Sequence, residues 1–278
     1  MIGFLIINYN DAPTTITLLK NVKDYSCLDY IVVVDNNSTD DSYSKLLPYA
    51  NEKVHILRRD DGRAFGAGIN FGLKYLESFG VDYSFISNSD VVIYSESDLK
   101  KLISYRNGIH LLGPVIKEHT GLNRGWKIPS NGLLFLQSLP FVYRFFQNNN
   151  RYSESFYSQK LLEVEAVSFC FFFASLKSIR EVGYFDEKVF LYFEENIMSS
   201  KFQKKGIYLC TNVEVFHNHS VTINKNLNRV AKYQTLSNSR RYFSKVYNHA
   251  GPITLFGFWF VEKMTIFFLH ISRILHKN

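Results

Sequence analysis

Residues 30–42 read YIVVVDNNSTDDS. Tyr30-Ile31-Val32-Val33-Val34 is a continuous apolar run, which suits a parallel strand buried on both faces better than an alternating half-exposed one. It ends abruptly in Asp35-Asn36-Asn37. Ser38, with Asp41 three residues on, has the pattern of a capping box, and Leu46 and Leu47 belong to the helix it would open. A buried strand that hands over to a helix through a polar turn is the repeating unit of an α/β sheet.

The same unit recurs on either side. Residues 3–7 (Gly-Phe-Leu-Ile-Ile) predict a first strand, and Ala12 to Lys23, with Leu18, Leu19 and Val22, predict the helix after it. Residues 53–57 predict a third strand, 66–79 a helix and 83–87 a fourth strand. Strands alternating with helices over the first hundred residues predict a doubly wound, mostly parallel sheet. The second half is less regular. Asn107 to Asn131 and Gln147 to Lys160 are polar and read as loops, Phe169 to Phe173 as a buried strand, and Ser178 to Val182 as a short helix.

The 278 residues suffice for a substantial core. Cys27, Cys170 and Cys210 show no CxxC spacing, which disfavours a disulfide framework or zinc cluster and points to a reducing compartment. MIGFLIINYN reads as a strand rather than a leader. The formal charge of +7 is concentrated at the C-terminus, where residues 223–278 hold nine basic residues against one acid, Glu262. That segment is also aromatic (Leu255 to Val261, Met264 to Leu269), and Glu262-Lys263 interrupts it where a bilayer centre would exclude charge. It is expected to lie in a membrane interface, and a buried helix is the plainer alternative.

Ligands of open α/β sheets bind beyond the carboxyl ends of the strands. Here those ends carry Asn8-Tyr9-Asn10, Asp35-Asn36-Asn37, Arg58-Arg59-Asp60 and Asn88-Ser89-Asp90, four polar clusters after four successive strands. Neither GxGxxG nor GxxxxGK[ST] is present, so the dinucleotide and P-loop fingerprints are excluded. The stretch from Gly62 to Gly72 is glycine-rich, as close approach to a ligand or tight helix packing would require. Taken singly, Asp35 is a cap, Asp90 a turn aspartate, Glu194-Glu195 a complement to a helix dipole, and His217 and His219 polar surface.

The order of motifs resembles that of family 2 glycosyltransferases of the GT-A fold, especially the rhamnosyltransferase-like branch. It is carried by LIINYN (5–10), VVVDNNSTDDS (32–42), FGAGINFGL (65–73), SNSDV (87–91), VGYFDEKVFLYFEEN (182–196) and VFHNHS (215–220), over about residues 1–245. The resemblance implies a GT-A, Rossmann-like sheet flanked by helices. Residues 1–222 would form the catalytic domain, 1–105 its nucleotide-sugar half and 106–222 its acceptor half, with 223–278 a helical tail.

It implies a donor site of Asn8, Tyr9, Asn10, Asp35, Asn37, Arg63, Asn70, Asn88 and Ser89, with the Asp35 carboxylate accepting from a uracil or thymine imide N–H. Asp90 falls on the last acid of the family's DxD-type metal motif, as a ligand for Mg²⁺ or Mn²⁺, and His217 or His219 on its late histidine. Glu194-Glu195 falls on the Glu-Asp motif, with Glu195 as general base for inversion by single displacement. The implied reaction moves rhamnose or another hexose from a dTDP- or UDP-sugar to a saccharide or polyprenyl-diphosphate-linked acceptor in surface polysaccharide synthesis. The enzyme would be cytoplasmic and peripheral to the inner face of the membrane, without a nucleic-acid partner.

The chain departs from the family pattern at several points. Asn88 replaces the first acid of the metal motif, Glu195 stands for Asp, Ile197 removes a further acid, Lys201 stands near an expected Arg, and Ser168-Phe169-Cys170 replaces a glycine-alanine step. The alternative is a non-catalytic nucleotide-fold scaffold whose basic tail binds lipid or nucleic acid, the latter with steep salt dependence. A nucleotidyltransferase would need a phosphate loop near the N-terminus, and Ile2 to Thr15 has none.

Overall fold

The computed structural model describes residues 1–61, 64–218 and 228–275. Its centre is one ten-stranded sheet. Strands β1 (Ile2–Asn8), β2 (Tyr30–Asn36), β3 (Val54–Arg59) and β4 (Tyr83–Asn88) are parallel in the order β3-β2-β1-β4. The remaining strands are β5 (Val91–Val92), β6 (Leu111–Glu118), β7 (Gly121–Asn123), β8 (Leu161–Val164), β9 (Phe171–Ser175) and β10 (Ile207–His217). They extend the path from β4 as β9-β6-β10-β5, with β7 on β6 and β8 on β10. In this half β6 and β10 run parallel and the other pairs antiparallel, so the sheet is mixed rather than nearly all parallel.

Helices α1 (Ala12–Val22), α2 (Ser42–Leu46) and α3 (Phe65–Ser78) follow the first three strands, as the sequence predicts, and α4 (Glu96–Ser104) follows β5. Alternate residues of each strand supply opposite cores. Phe4, Ile6, Ile31, Val33 and Phe85 join the cluster containing Leu19 and Leu102, whereas Leu5, Ile7, Val32, Val34 and Ile86 join the one containing Leu73 and Leu76. That is why these strands read as unbroken apolar runs. Each such side chain contributes about 1.5–3 kcal/mol on burial. The glycines of α3 serve packing. A Cβ on Gly72 would meet Leu5 Cδ1 at 2.3 Å, and one on Gly68 would meet Asn36 Cγ at 2.9 Å.

Three expectations need correcting. The stretch 107–131 is not a loop, because it contains β6 and β7. Ser38 does not cap α2, which starts after Asp41, and its hydroxyl donates to Asp35 Oδ1 instead. The aromatic strand begins at Phe171 rather than Phe169 and leads into α7 (Leu176–Glu181), after α5 (Asn131–Ser138) and α6 (Tyr143–Phe146).

The C-terminal segment forms α9 (Arg229–Val246) and α10 (Pro252–Leu275), after α8 (Glu194–Phe202). Phe243 and Phe258 bury with Leu134, Val189 and Ile197 in a third cluster. Glu262 is buried against α9, where Ser237 Oγ donates to it at 2.9 Å and Arg241 lies 3.4 Å away. Tyr242 and Tyr247 both donate to Asp186 Oδ2, at 2.6 and 2.7 Å, and so tie α9 to the turn before α8. By length and composition, the 20 residues Pro252–Ile271, of mean hydropathy 1.4, are enough to cross a membrane. The burial of Glu262 shows instead that one face of α10 is built into the domain.

Candidate active site

Sheet register gathers the polar strand ends. Asn8 lies beside Asp35, and Ile7 beside Asn88. After β4 the chain turns through Ser89-Asp90 into β5, which pairs with the end of β10 so that Val91 faces His217. The Asn218 N–H donates to the Asp90 carbonyl at 2.9 Å and closes that turn. Asp90 is therefore both a turn residue and a wall of a cleft of about 470 Å³ that also contains Asn88, Ser89, Glu118, Glu194, Glu195 and His217.

Two acids enter the cleft at the start of α8. Tyr192 and Phe193, the residues before them, both adopt left-handed backbone (φ 72° and 70°). Such conformations cost bulky residues about 1–3 kcal/mol each and concentrate at functional sites. Here the double turn sets Glu194 and Glu195 in the first turn of α8. Burial, reinforced by the charge of Glu195, pushes the Glu194 carboxyl up to about 8. Its Oε1 has no hydrogen-bond partner among the described residues. Burial also raises Glu195, but its own N–H, the Phe169 N–H and the charge of His217 act in the opposite direction.

Across the cleft, His217 Nε2 lies 3.2 Å from Asp90 Oδ1, and His217 Nδ1 lies 3.3 Å from Glu118 Oε1. Burial alone would lower the His217 pKa, yet hydrogen bonds to Asp90, Cys170 and Glu118 push it up to about 12. Once the proton on His217 Nε2 is given up, a carboxylate oxygen and an imidazole nitrogen side by side, with a second carboxylate on the far ring nitrogen, would form a donor set suited to a divalent cation. Asn88 Oδ1 is buried in the same wall without a partner among the described residues, another polar atom left for a ligand. No group of three or more His, Cys, Asp or Glu placed to hold a metal ion occurs among the described residues.

The remaining expected donor residues divide. Tyr9 lines the cleft, as does Asn36. Asp35 is fully buried and does not, with Oδ1 accepting from Asn8 Nδ2 at 2.9 Å and from Ser38, while Oδ2 has no partner among the described residues. Asn8 Oδ1 accepts from Thr15 at 2.7 Å, and Asn10 accepts from the Thr39 N–H at 2.8 Å. Asn10 and Asn37 lie in left-handed turns outside the cleft wall. Asn70 is a clamp: its amide donates to Phe185 O (3.0 Å) and Glu187 Oε1 (2.8 Å) and accepts from the Phe185 N–H (2.9 Å). Lys201 Nζ donates to the Tyr184 carbonyl at 2.7 Å rather than entering the cleft. Arg63 and His219 lie outside the described residues.

Sequence reading missed Glu118, which hides in the segment taken for a loop. The apolar run Leu111-Leu112, resuming as Val115-Ile116, is the signal that would have found its strand. It also missed Trp126, whose Nε1 donates to Asn196 Oδ1 at 3.0 Å and braces the start of α8.

Residues 4–178 match the model of the family described as Glycosyl transferase family 2. No curated protein matches the chain in sequence. Among solved structures it is similar to the mannosyltransferase PcManGT from Pyrobaculum calidifontis in complex with GDP-Man and Mn²⁺ (TM-score 0.57, 15% identity, 94% of this chain and 69% of that one). It is also similar to GalNAc-T7 with UDP, GalNAc and Mn²⁺ (TM-score 0.62, 14% identity, 88% and 48%). S. aureus TarS 1–349 is a third neighbour (TM-score 0.57, 16% identity, 90% and 73%). At these identities the three likenesses speak to the fold.

Proposed function

The chain belongs to glycosyl transferase family 2, and from that premise we propose that this glycosyltransferase is an inverting, metal-dependent enzyme. It would transfer rhamnose or another hexose from a dTDP- or UDP-sugar to a hydroxyl of a lipid-linked saccharide in surface polysaccharide synthesis. The observation that carries this reading is the single cleft shared by Asp90 and His217 on one wall and Glu194 and Glu195 on another. PcManGT with GDP-Man and Mn²⁺, and GalNAc-T7 with UDP and Mn²⁺, support the donor and metal classes.

In this mechanism Asp90 and His217 would hold a divalent cation, and Glu118 fixes the imidazole. Bound there, Mg²⁺ or Mn²⁺ supplies Lewis-acid neutralisation of the departing diphosphate. Glu195 takes the proton of the acceptor hydroxyl as that oxygen attacks the anomeric carbon opposite the leaving group. Glu194, protonated near neutrality by its burial, avoids setting a second buried negative charge beside that base. Asp35, with its unpartnered buried Oδ2, recognises the base together with Asn8, Tyr9, Asn10, Asn37, Arg63 and Ser89, while Asn70 holds the turn before α8.

Residues 1–222 make up the catalytic unit in this reading, and 223–278 hold it at the cytoplasmic face of the membrane. The supporting feature is the outer stripe of α10. Ile253, Phe256, Phe260, Met264, Phe267 and Ile271 recur at three- and four-residue intervals and are all exposed, with Lys263 beside them. Phe141 and Phe145, 82% and 81% exposed, follow the helix against which α10 packs. Such a face suits the headgroup region rather than a span.

The test is transfer and donor hydrolysis measured across sugar nucleotides with and without Mn²⁺. Metal-dependent turnover of a dTDP- or UDP-sugar is expected, and metal-independent turnover or rejection of both donors overturns the assignment.

A further inference from the structure

We propose that the protein carries a second saccharide subsite, separate from the reacting centre, that takes an uncharged sugar ring of the acceptor. It rests on the transferase reading above for the acceptor's chemical class, and on a distinct cavity for its place. That cavity, about 310 Å³, opens between the segment 122–126 and the segment 147–157. Asn123 and Trp126 line both it and the catalytic cleft, so the two spaces share a wall.

The shared wall is rigid. The Trp126 N–H donates to Ala166 O, and the Ala166 N–H to Trp126 O, both at 3.0 Å. The indole donates to Asn196, the residue after Glu195. Gly125, at φ +79°, turns the chain between Arg124 and Trp126, where a Cβ would meet Ala166 O at 2.8 Å. A ring held against this wall would therefore be registered to the start of α8.

The lining has the chemistry of sugar recognition. Trp126, Tyr152 and Tyr157 line it. Phe156 covers one face of Tyr152 with centroids 4.2 Å apart, and Arg124 one face of Tyr157 at 4.1 Å from its centroid, which fixes both rings, so a ligand would meet their other faces. Aromatic faces take the C–H face of a pyranose, while polar side chains take its hydroxyls. Those groups are Arg124, Glu154, Gln147 and Asn150. Arg124 is ion-paired with Glu154, so its charge is already balanced and its guanidinium is held in one orientation. Only Arg151 adds unbalanced charge to the lining, which favours a neutral ring over a phosphate. The volume lies at the small end of ligand sites, as one or two rings need.

The test uses fluorescence. The chain has two tryptophans, so Trp259→Phe, a change on α10, leaves Trp126 as sole reporter. Neutral disaccharides of glucose, galactose, N-acetylglucosamine and rhamnose are titrated, with inorganic phosphate as competitor and UDP–Mn²⁺ binding followed in parallel by calorimetry. At least one disaccharide is expected to shift Trp126 emission saturably, with affinity reduced roughly tenfold or more by Arg124→Ala and by Tyr157→Leu. Each variant should keep the circular dichroism and UDP–Mn²⁺ binding of its parent. Absence of any saturable shift, a shift untouched by both substitutions, or displacement by phosphate overturns the proposal. Failure of the parent to bind UDP–Mn²⁺ counts against the donor reading, while the disaccharide titration still decides the subsite.

Discussion

Asp90 Oδ1 and His217 Nε2 lie 3.2 Å apart, brought together because β5 pairs antiparallel with the end of β10. The pair is held from behind by Glu118, at the end of β6. A carboxylate that orients a metal-binding imidazole typically matters 10–100-fold for metal affinity. Glu118→Gln is therefore expected to raise the Mn²⁺ concentration for half-maximal turnover by about 10–100-fold, with the rate at saturating metal little changed. Asp90→Ala should lose metal-dependent turnover altogether. A metal titration of donor hydrolysis measures both, and an unchanged midpoint in Glu118→Gln counts against the site.

Glu195 and Glu194 are adjacent but not equivalent. Glu195→Gln removes the base while keeping shape and hydrogen-bonding capacity, so transfer should fall about 10²–10⁴-fold. Binding of UDP–Mn²⁺, measured by calorimetry, should survive. Full transfer activity in this variant would sink the assignment of the base.

The pH dependence of stability should report Glu194. Its carboxyl titrates at an ordinary 4.5 in the unfolded chain and at about 8 when folded. Between those values the folded chain keeps a proton that the unfolded chain has released. Stability therefore falls as pH rises through this window and stays lowered above it. Glu194→Gln should flatten that slope and raise Tm above pH 8 by a few degrees, about 2–4 °C for each kcal/mol. Thermal melts from pH 5 to 9 would show it.

Asn70 should behave as a structural residue. Asn70→Ala leaves the Phe185 N–H and carbonyl without their partner in a buried place. The expected loss is about 1–3 kcal/mol of stability, read as a lower midpoint in urea. Its contacts bind α3 to the turn that precedes α8.

The outer face of α10 is the expected membrane contact. Replacing Phe260 and Phe267, 51% and 62% exposed, by Glu should leave the melting temperature unchanged and abolish flotation with vesicles containing anionic lipid. Retention of both variants on vesicles would move the contact elsewhere.

Several elements were legible because their residues state a local preference strongly. The runs 3–7 and 30–34 could only be strands buried on both faces, and Glu194-Glu195 marked a helix start. The segment 107–131 was not legible. Gly113 and Pro114 interrupt its apolar run and argue locally for a loop, yet β6 forms because β9 and β10 flank it, and Gly113 lies so close to Val167 that a Cβ would clash at 2.8 Å. Glu118 was lost with that strand. The supposed cap at Ser38 failed for a related reason, since its hydroxyl oxygen accepts from the Asn10 N–H and from Asn8 Nδ2 rather than from a helix N–H.

The sequence by itself determined the layered α/β architecture, the family motifs and the polar strand ends, because hydrophobic period and turn chemistry are written along the chain. Only the tertiary structure decided which polar ends share a cleft. Asp90, Glu118, His217 and Glu195 meet through sheet register and a strained double turn at Tyr192-Phe193, whereas Asn70 and Lys201 were drawn into clamps. Those outcomes depend on contacts between distant segments, and no local pattern of residues encodes them.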